Sequence, residues 1–185
     1  MKIGIITFHR PLNYGAILQT YALVKKINDI NYDAEIIDYR NSCHEKVLDN
    51  MNFKTAIGIK AKIKSLIFAK INRNKKYKFQ QFTNNNIKIS KKIYDKKNIN
   101  ESNKEYDFFI TGSDQVWNLN LTNIDYNYFL NFVNKDINKI SYASSFGYSQ
   151  IPEKYKQETV SSLNNYKKIS VREQQGANII NDLLN

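Results

Sequence analysis

Apolar residues along this chain fall into short runs separated by polar turns, and between the runs they recur at helical spacing. Lys2–Thr7 is an isoleucine-rich run of strand length. After a polar turn, Ala16, Ile17, Leu18, Tyr21, Ala22, Leu23, Val24 and Ile27 return every three or four residues, and Ala34–Tyr39 forms a second apolar run. Strand, turn, helix and strand in that order make a βαβ unit, which builds a parallel sheet whose ligands collect at the carboxyl ends of the strands.

The same alternation returns in the second half of the chain. Tyr106–Thr111 is an apolar run broken by Gly112-Ser113-Asp114, and Lys139–Ala143 is another, ended by Ser144-Ser145-Phe146-Gly147. Pro152 opens a mostly polar helical stretch, 153–167, with Tyr155, Val160, Leu163 and Tyr166 as its inner face. Lys168–Val171 reads as a last strand, leading through Arg172-Glu173 into a helix over Gln175–Leu184. The pattern predicts one α/β domain over residues 1–185, a Rossmann-like parallel sheet flanked by helices.

Charge singles out one segment. The chain carries 28 Lys plus Arg against 17 Asp plus Glu, a net of +11, yet 15 basic and only 2 acidic residues lie between Lys54 and Lys104. There Ile57, Ala61, Leu66, Ile67, Phe68, Ile71, Tyr77, Phe79 and Phe82 recur among the lysines, which predicts one or two amphipathic helices with a lysine-rich outer face. Asn, Ile and Lys make up 75 of the 185 residues, a bias of coding composition that weakens any functional reading of single lysines. The segment fits a solvated face, contact with anionic lipid or a lipid-linked glycan, or a polyanion site. No helix-turn-helix, zinc-finger or aromatic RNA-binding signature accompanies it, so no specific nucleic acid is expected.

Several classes drop out. No run reaches the eighteen or so apolar residues of a membrane span, and the N-terminus lacks a cleavage pattern, so a soluble cytoplasmic protein is expected, with peripheral membrane contact through residues 54–104 as the alternative address. A single cysteine, Cys43, cannot form an internal disulfide, and with His44 it offers two ligands where structural zinc needs four; no metal is expected. Gly15 stands alone where a dinucleotide fingerprint needs three glycines, although Asp38 ends the second strand as a ribose-binding acid would. Ser113 lacks the Gly-x-Ser-x-Gly setting of a nucleophile elbow.

What remains is polar chemistry at strand ends. His9 through Gly15 places a glycine where a strand feeds a helix, so a ligand can approach backbone N–H groups; His9 itself is either an acid, base or ligand contact, or a residue bonded to backbone that shapes the turn. Ser113, Asp114, Gln115 and Asn118 surround Trp117, the sole tryptophan, the mix a sugar cleft uses; the competing reading is a turn in which Asp114 caps a helix and Trp117 plugs the core. Arg172 suits phosphate or carboxylate, or else pairs with Glu173.

In order along the chain, Ile3–His9, Asn13-Tyr14-Gly15-Ala16-Ile17-Leu18-Gln19, Gly112–Asn118, Tyr142–Gly147 and Ser170–Glu173 resemble the polysaccharide pyruvyl transferase family. The resemblance implies a bacterial enzyme that moves the enolpyruvyl unit of phosphoenolpyruvate, its donor substrate, onto two sugar hydroxyls as a ketal in cell-surface or exopolysaccharide synthesis, with no bound cofactor. It implies a two-domain, GT-B-like fold of which this chain matches the N-terminal domain, so that catalysis is expected to need a C-terminal half or a partner chain. Carried onto this sequence, it makes His9, Asn13, Tyr14, Gly15, Ser113, Asp114, Gln115, Trp117, Asn118, Ser144, Ser145 and Arg172 candidate contacts to the donor and to a sugar or lipid-linked glycan acceptor, with no catalytic residue assigned. A non-catalytic glycan-binding domain or inactive remnant is the alternative, and a basic nucleic-acid or membrane-surface adaptor a further one.

Overall fold

The computed structural model describes residues 1–41 and 59–184, with side chains described from residue 73 onward in the helix that begins at Ile59. Cys43, His44 and the start of the basic segment lie outside the described residues. Five strands, β1 (Lys2–Ile6), β2 (Asp33–Tyr39), β3 (Ile89–Tyr94), β4 (Phe108–Thr111) and β5 (Asn138–Ser141), form one sheet in the order β3-β2-β1-β4-β5. Every pairing is parallel. The helices are α1 (Tyr14–Asp29), α2 (Ile59–Asn86), a short α3 (Leu119–Thr122), α4 (Glu153–Leu163) and α5 (Gln174–Leu184). This is the α/β, Rossmann-like sheet flanked by helices that the hydrophobic pattern predicts.

Alternation along the strands divides the core into two layers. Ile3 and Ile5 of β1, Ala34 and Ile36 of β2 and Ile110 of β4 meet Ile17, Leu23, Val24 and Ile27 of α1 and Phe79 of α2. On the other face Ile6, Ile37, Tyr39, Tyr94 and Phe109 meet an aromatic layer built around Trp117, Phe129 and Phe146. Ile5, Ile36 and Ile37 are fully buried, each contributing on the order of 1.5–3 kcal/mol of apolar transfer. Gly4 has a reason of its own: a Cβ there would lie 2.8 Å from Ile37 Cδ1 and 2.9 Å from Tyr106 Cγ. The polar groups of that face are matched, Tyr106 donating its hydroxyl to Glu35 at 2.8 Å beside Lys2 at 3.0 Å from the same carboxylate.

Three features differ from the sequence expectation. The basic segment is not helical throughout: α2 stops at Asn86 and β3 follows. As an edge strand β3 leaves Lys91, Lys92 and Ile93 in solvent and buries only Ser90 and Tyr94, so its alternation is lost among lysines. Lys168–Val171 makes two isolated parallel bridges, Ile140 with Lys168 and Ser144 with Val171, because the chain turns at Ala143 with a positive φ of 49° and breaks the ladder. The predicted helix over 153–167 ends at Leu163. Among the described residues no helix is long and apolar enough to cross a membrane.

Candidate functional site

The strand order sets the place. The chain steps outward from β1 to β2 and β3, then returns to the other side of β1 to start β4, so the crevice of the sheet opens at the carboxyl ends of β1 and β4. The two loops that leave those ends are 7–13 and 112–118. Gln19 of α1 joins them: its amide nitrogen donates to Thr7 Oγ1 at 3.2 Å, and its carbonyl accepts from the Ser113 backbone N–H at 3.3 Å. Gly112 makes the turn out of β4 with φ +116°, and a Cβ would fall 2.1 Å from the Tyr142 carbonyl oxygen, so no other residue fits.

The β4 side of the crevice is a hydrogen-bonded rim. The Ser145 N–H donates to the Asp114 carbonyl at 2.9 Å and the Trp117 N–H donates to the Ser145 carbonyl at 3.2 Å, locking the loop after β4 to the loop after β5. The Ser145 hydroxyl donates to Glu173 and accepts from the Gly147 N–H at 3.1 Å. The Arg172 N–H donates to the Ser144 carbonyl at 3.1 Å, fixing the start of the third loop. The Arg172 guanidinium lies 3.3 Å from Glu173 and 4.0 Å from Asp114, with its side chain 46% exposed.

The β1 and β2 side is closed. His9 is buried, with Nδ1 3.3 Å from the Thr7 carbonyl and Nε2 3.2 Å from the Asp38 carboxylate, two oxygens that can only accept. Arg40 donates to both oxygens of the same carboxylate, at 3.3 and 2.9 Å, and the Asp38 N–H donates to Ser90 Oγ at 2.9 Å. Burial pushes the Asp38 carboxyl up, but the hydrogen bonds and charges of His9 and Arg40 outweigh it and hold it well below the usual carboxylate range. Next to it, buried Asp125 accepts from Tyr39 at 2.7 Å and from Asn41 at 2.6 Å, while Asn127 donates to the Tyr39 hydroxyl at 2.7 Å. Burial and the Asp125 carboxylate push the Tyr39 hydroxyl far above its ordinary range.

The structure brings most of the sequence candidates to this one edge but gives several of them local work. Asn13, Tyr14 and Gly15 are exposed, with the Asn13 side-chain Oδ1 capping α1 by accepting from the Ala16 N–H at 3.2 Å. Ser113, Asp114 and Gln115 are half-buried along the rim. Asn118, and not Asp114, caps the following helix, accepting from the N–H groups of Asn120 and Leu121. Two expectations are corrected. Trp117 is fully buried, stacked on Phe129 at 5.3 Å and against Phe146 at 5.1 Å, so its faces belong to the core and none is open to a sugar. The serine pair Ser144 and Ser145 is buried as well, the Ser144 hydroxyl donating to the Thr111 carbonyl at 3.3 Å and the Ser145 hydroxyl to Glu173, so neither hydroxyl is open to a ligand. Sequence reasoning missed the roles of Gln19, Glu173 and Asp125, whose partners lie 94, 28 and 86 residues away. Among the described residues no group of three His, Cys, Asp or Glu side chains is placed to hold a metal ion.

No curated protein matches the chain, and no solved structure does. The family model of polysaccharide pyruvyl transferase matches residues 13–185, a span that takes in the α1 entrance, the rim at 112–118 and 144–147, and Arg172. With a five-stranded parallel sheet carrying those segments at one edge, the chain belongs to the polysaccharide pyruvyl transferase family.

Proposed function

We propose that this domain supplies the acceptor-glycan side of a pyruvyl-transfer site in cell-surface polysaccharide synthesis, together with one guanidinium for the donor. In the reaction, C3 of phosphoenolpyruvate takes up a proton, a first sugar hydroxyl adds to C2, phosphate leaves from C2, and a second hydroxyl closes the ketal. Two hydroxyl protons are released; one balances the proton gained at C3 and the other leaves with phosphate. Such a site needs a proton donor, cationic groups for phosphate and carboxylate, and dipoles or a base for the attacking hydroxyl.

The observation that carries this reading is the rim itself, where strand-end segments distant in sequence are tied by hydrogen bonds into one surface at the crevice. Asp114, Gln115 and the exposed Asn13 and Tyr14 would take the acceptor hydroxyls and ring face, and half-exposed Arg172 the phosphate or carboxylate. His9 is not offered as the proton donor, since both its ring nitrogens are already engaged. This reading assigns the proton donor to a C-terminal half or a partner chain. That state of His9 also favours a second reading, a domain that binds glycan without turnover.

One experiment tests both. The chain is mixed with oligosaccharide acceptors, with and without phosphoenolpyruvate, while glycan binding is followed by saturation-transfer NMR and turnover by released phosphate and the methyl signal of the ketal. Glycan binding that weakens in Asp114→Asn supports the acceptor role, and a chain that binds no oligosaccharide of any kind overturns it. Binding with no phosphate release until a second family domain is added supports the divided site; binding with no release in its presence favours the binding-only reading.

A further inference from the structure

A groove continues from this edge between α1 and α2. Tyr14, the first residue of α1, is 69% exposed, and Leu18 one turn on is 53% exposed. The Tyr14 ring lies 4.8 Å from that of Phe79 on α2. Lys75 holds its ammonium 5.7 Å from the Tyr14 ring and 5.5 Å from the Phe79 ring, and Asn74 and Lys78 of the same helix also line the groove. Neither lysine has a carboxylate partner among the described residues. Over its whole length, 59–86, α2 contains seven lysines and one arginine and not one acid, and its twenty residues ahead of Phe79 extend on the order of 30 Å at 1.5 Å per residue.

Because Tyr14 is both the entrance of α1 and the wall of this groove, the groove is continuous with the proposed acceptor rim. Its floor offers aromatic and aliphatic faces that suit the C–H faces of sugar rings. Its wall offers the Lys75 ammonium, held over two rings instead of paired with an acid, and Lys78 one turn on, in a stretch of helix with no acidic residue. A neutral glycan would use the floor and leave the cations idle. An apolar chain would use the floor and gain nothing from Asn74 or Lys78.

We infer that the groove between α1 and α2 is an extended acceptor subsite for an anionic glycan, binding sugars that carry carboxylate or phosphate next to the residue being modified. This rests on the acceptor reading above. The ketal that pyruvyl transfer installs is itself a carboxylate, so a repeat already modified would present the same charge to Lys75 and Lys78.

The test measures binding of the whole chain to four probes of equal length: a galacturonic acid tetramer, a glycerol phosphate tetramer, a neutral galactose tetramer and a thymidylate tetramer. The acidic glycan probes should bind about tenfold tighter than the neutral one, as two rim ion pairs allow, and lose that advantage as salt rises. Preference for the galacturonate identifies a carboxylate-bearing acceptor, and preference for the glycerol phosphate a phosphate-bearing one. Lys75→Gln with Lys78→Gln should abolish the preference and leave galactose binding unchanged, while Lys75→Arg with Lys78→Arg should keep it. Equal binding of acidic and neutral glycans, or a preference that survives the glutamine variant, overturns the subsite and leaves the acceptor reading standing. Thymidylate binding as tight as either acidic probe overturns it in favour of a site for polyanions at large. Failure of all three non-nucleotide probes overturns the acceptor reading itself.

Discussion

The two halves of the strand edge use charge in opposite ways. Behind β1 and β2, the buried carboxylates of Asp38 and Asp125 are surrounded by donors from His9, Arg40, Tyr39 and Asn41, so every charge is answered within the protein. Behind β4 and β5, the Asp114 carboxylate has, among the described residues, the Gln115 N–H at 2.7 Å and a guanidinium 4.0 Å away, and Arg172 is nearly half exposed. A closed network resists change and contributes to stability. An open one has donors and acceptors left over, the requirement for holding a ligand.

Asp38→Asn should break the closed half with the largest effect. It removes the carboxylate that holds buried His9 by a hydrogen bond and half-buried Arg40 by an ion pair, and breaking such a pair from one side costs about 3 kcal/mol, read as a fall in the denaturant midpoint at an unchanged slope. The pH dependence adds a second reading. The folded carboxyl sits below its unfolded value, so its stabilisation is present above about pH 4 and lost as acid is added through the folded pKa. The acid limb of the stability curve should therefore be shallower in Asp38→Asn than in the natural protein.

The sequence made the open half easier to find than the closed one. Ser113, Asp114, Gln115 and Arg172 sit directly after apolar runs, so alternation and turn chemistry locate them without any knowledge of pairing. The closed half depends on which strands become neighbours. His9 and Asp38 are 29 residues apart and meet because β1 and β2 are adjacent and parallel, and Tyr39 finds Asp125 across 86 residues through a loop with no periodic signal. Trp117 shows the limit from the other side: a tryptophan among polar residues reads equally as a sugar platform or a core plug, and only the stacking of Phe129 and Phe146 decides. Strand β3 was hidden because edge strands tolerate lysines where central strands do not.

Lys139 sharpens the comparison as a buried charge that is not answered. It is 5% exposed, donates to the Leu130 carbonyl at 3.0 Å, lies 5.0 Å from the Tyr166 ring centroid and has no carboxylate partner among the described residues. Burial lowers its amine to about 8. The folded protein releases that proton near pH 8 and the unfolded chain near 10.4, so the unfolded state holds more protons in between and stability from this group rises with pH. Relative to Lys139→Met, the natural protein should gain about 1–2 kcal/mol between pH 7.5 and 10, allowing for solvent near the ammonium. A constant difference across that range would mean the amine titrates normally.

The smallest stability effect belongs to the open half. Arg172→Ala removes a guanidinium paired at 3.3 Å with a half-exposed Glu173, and ion pairs of that kind contribute about 0.5 kcal/mol or less. Its denaturant midpoint should stay near that of the natural protein, in contrast to Asp38→Asn. If the open half holds the donor, the same variant should weaken phosphoenolpyruvate binding about tenfold, the loss of one charge-assisted contact, measured by calorimetry on the chain with a second family domain added. Unchanged affinity would place Arg172 with the structural ion pairs, and the donor's phosphate and carboxylate would then need their cations from elsewhere. A variant that loses both stability and affinity would show that the two halves of the edge are coupled, Arg172 bracing the rim through Glu173 and Ser145 as well as facing the ligand.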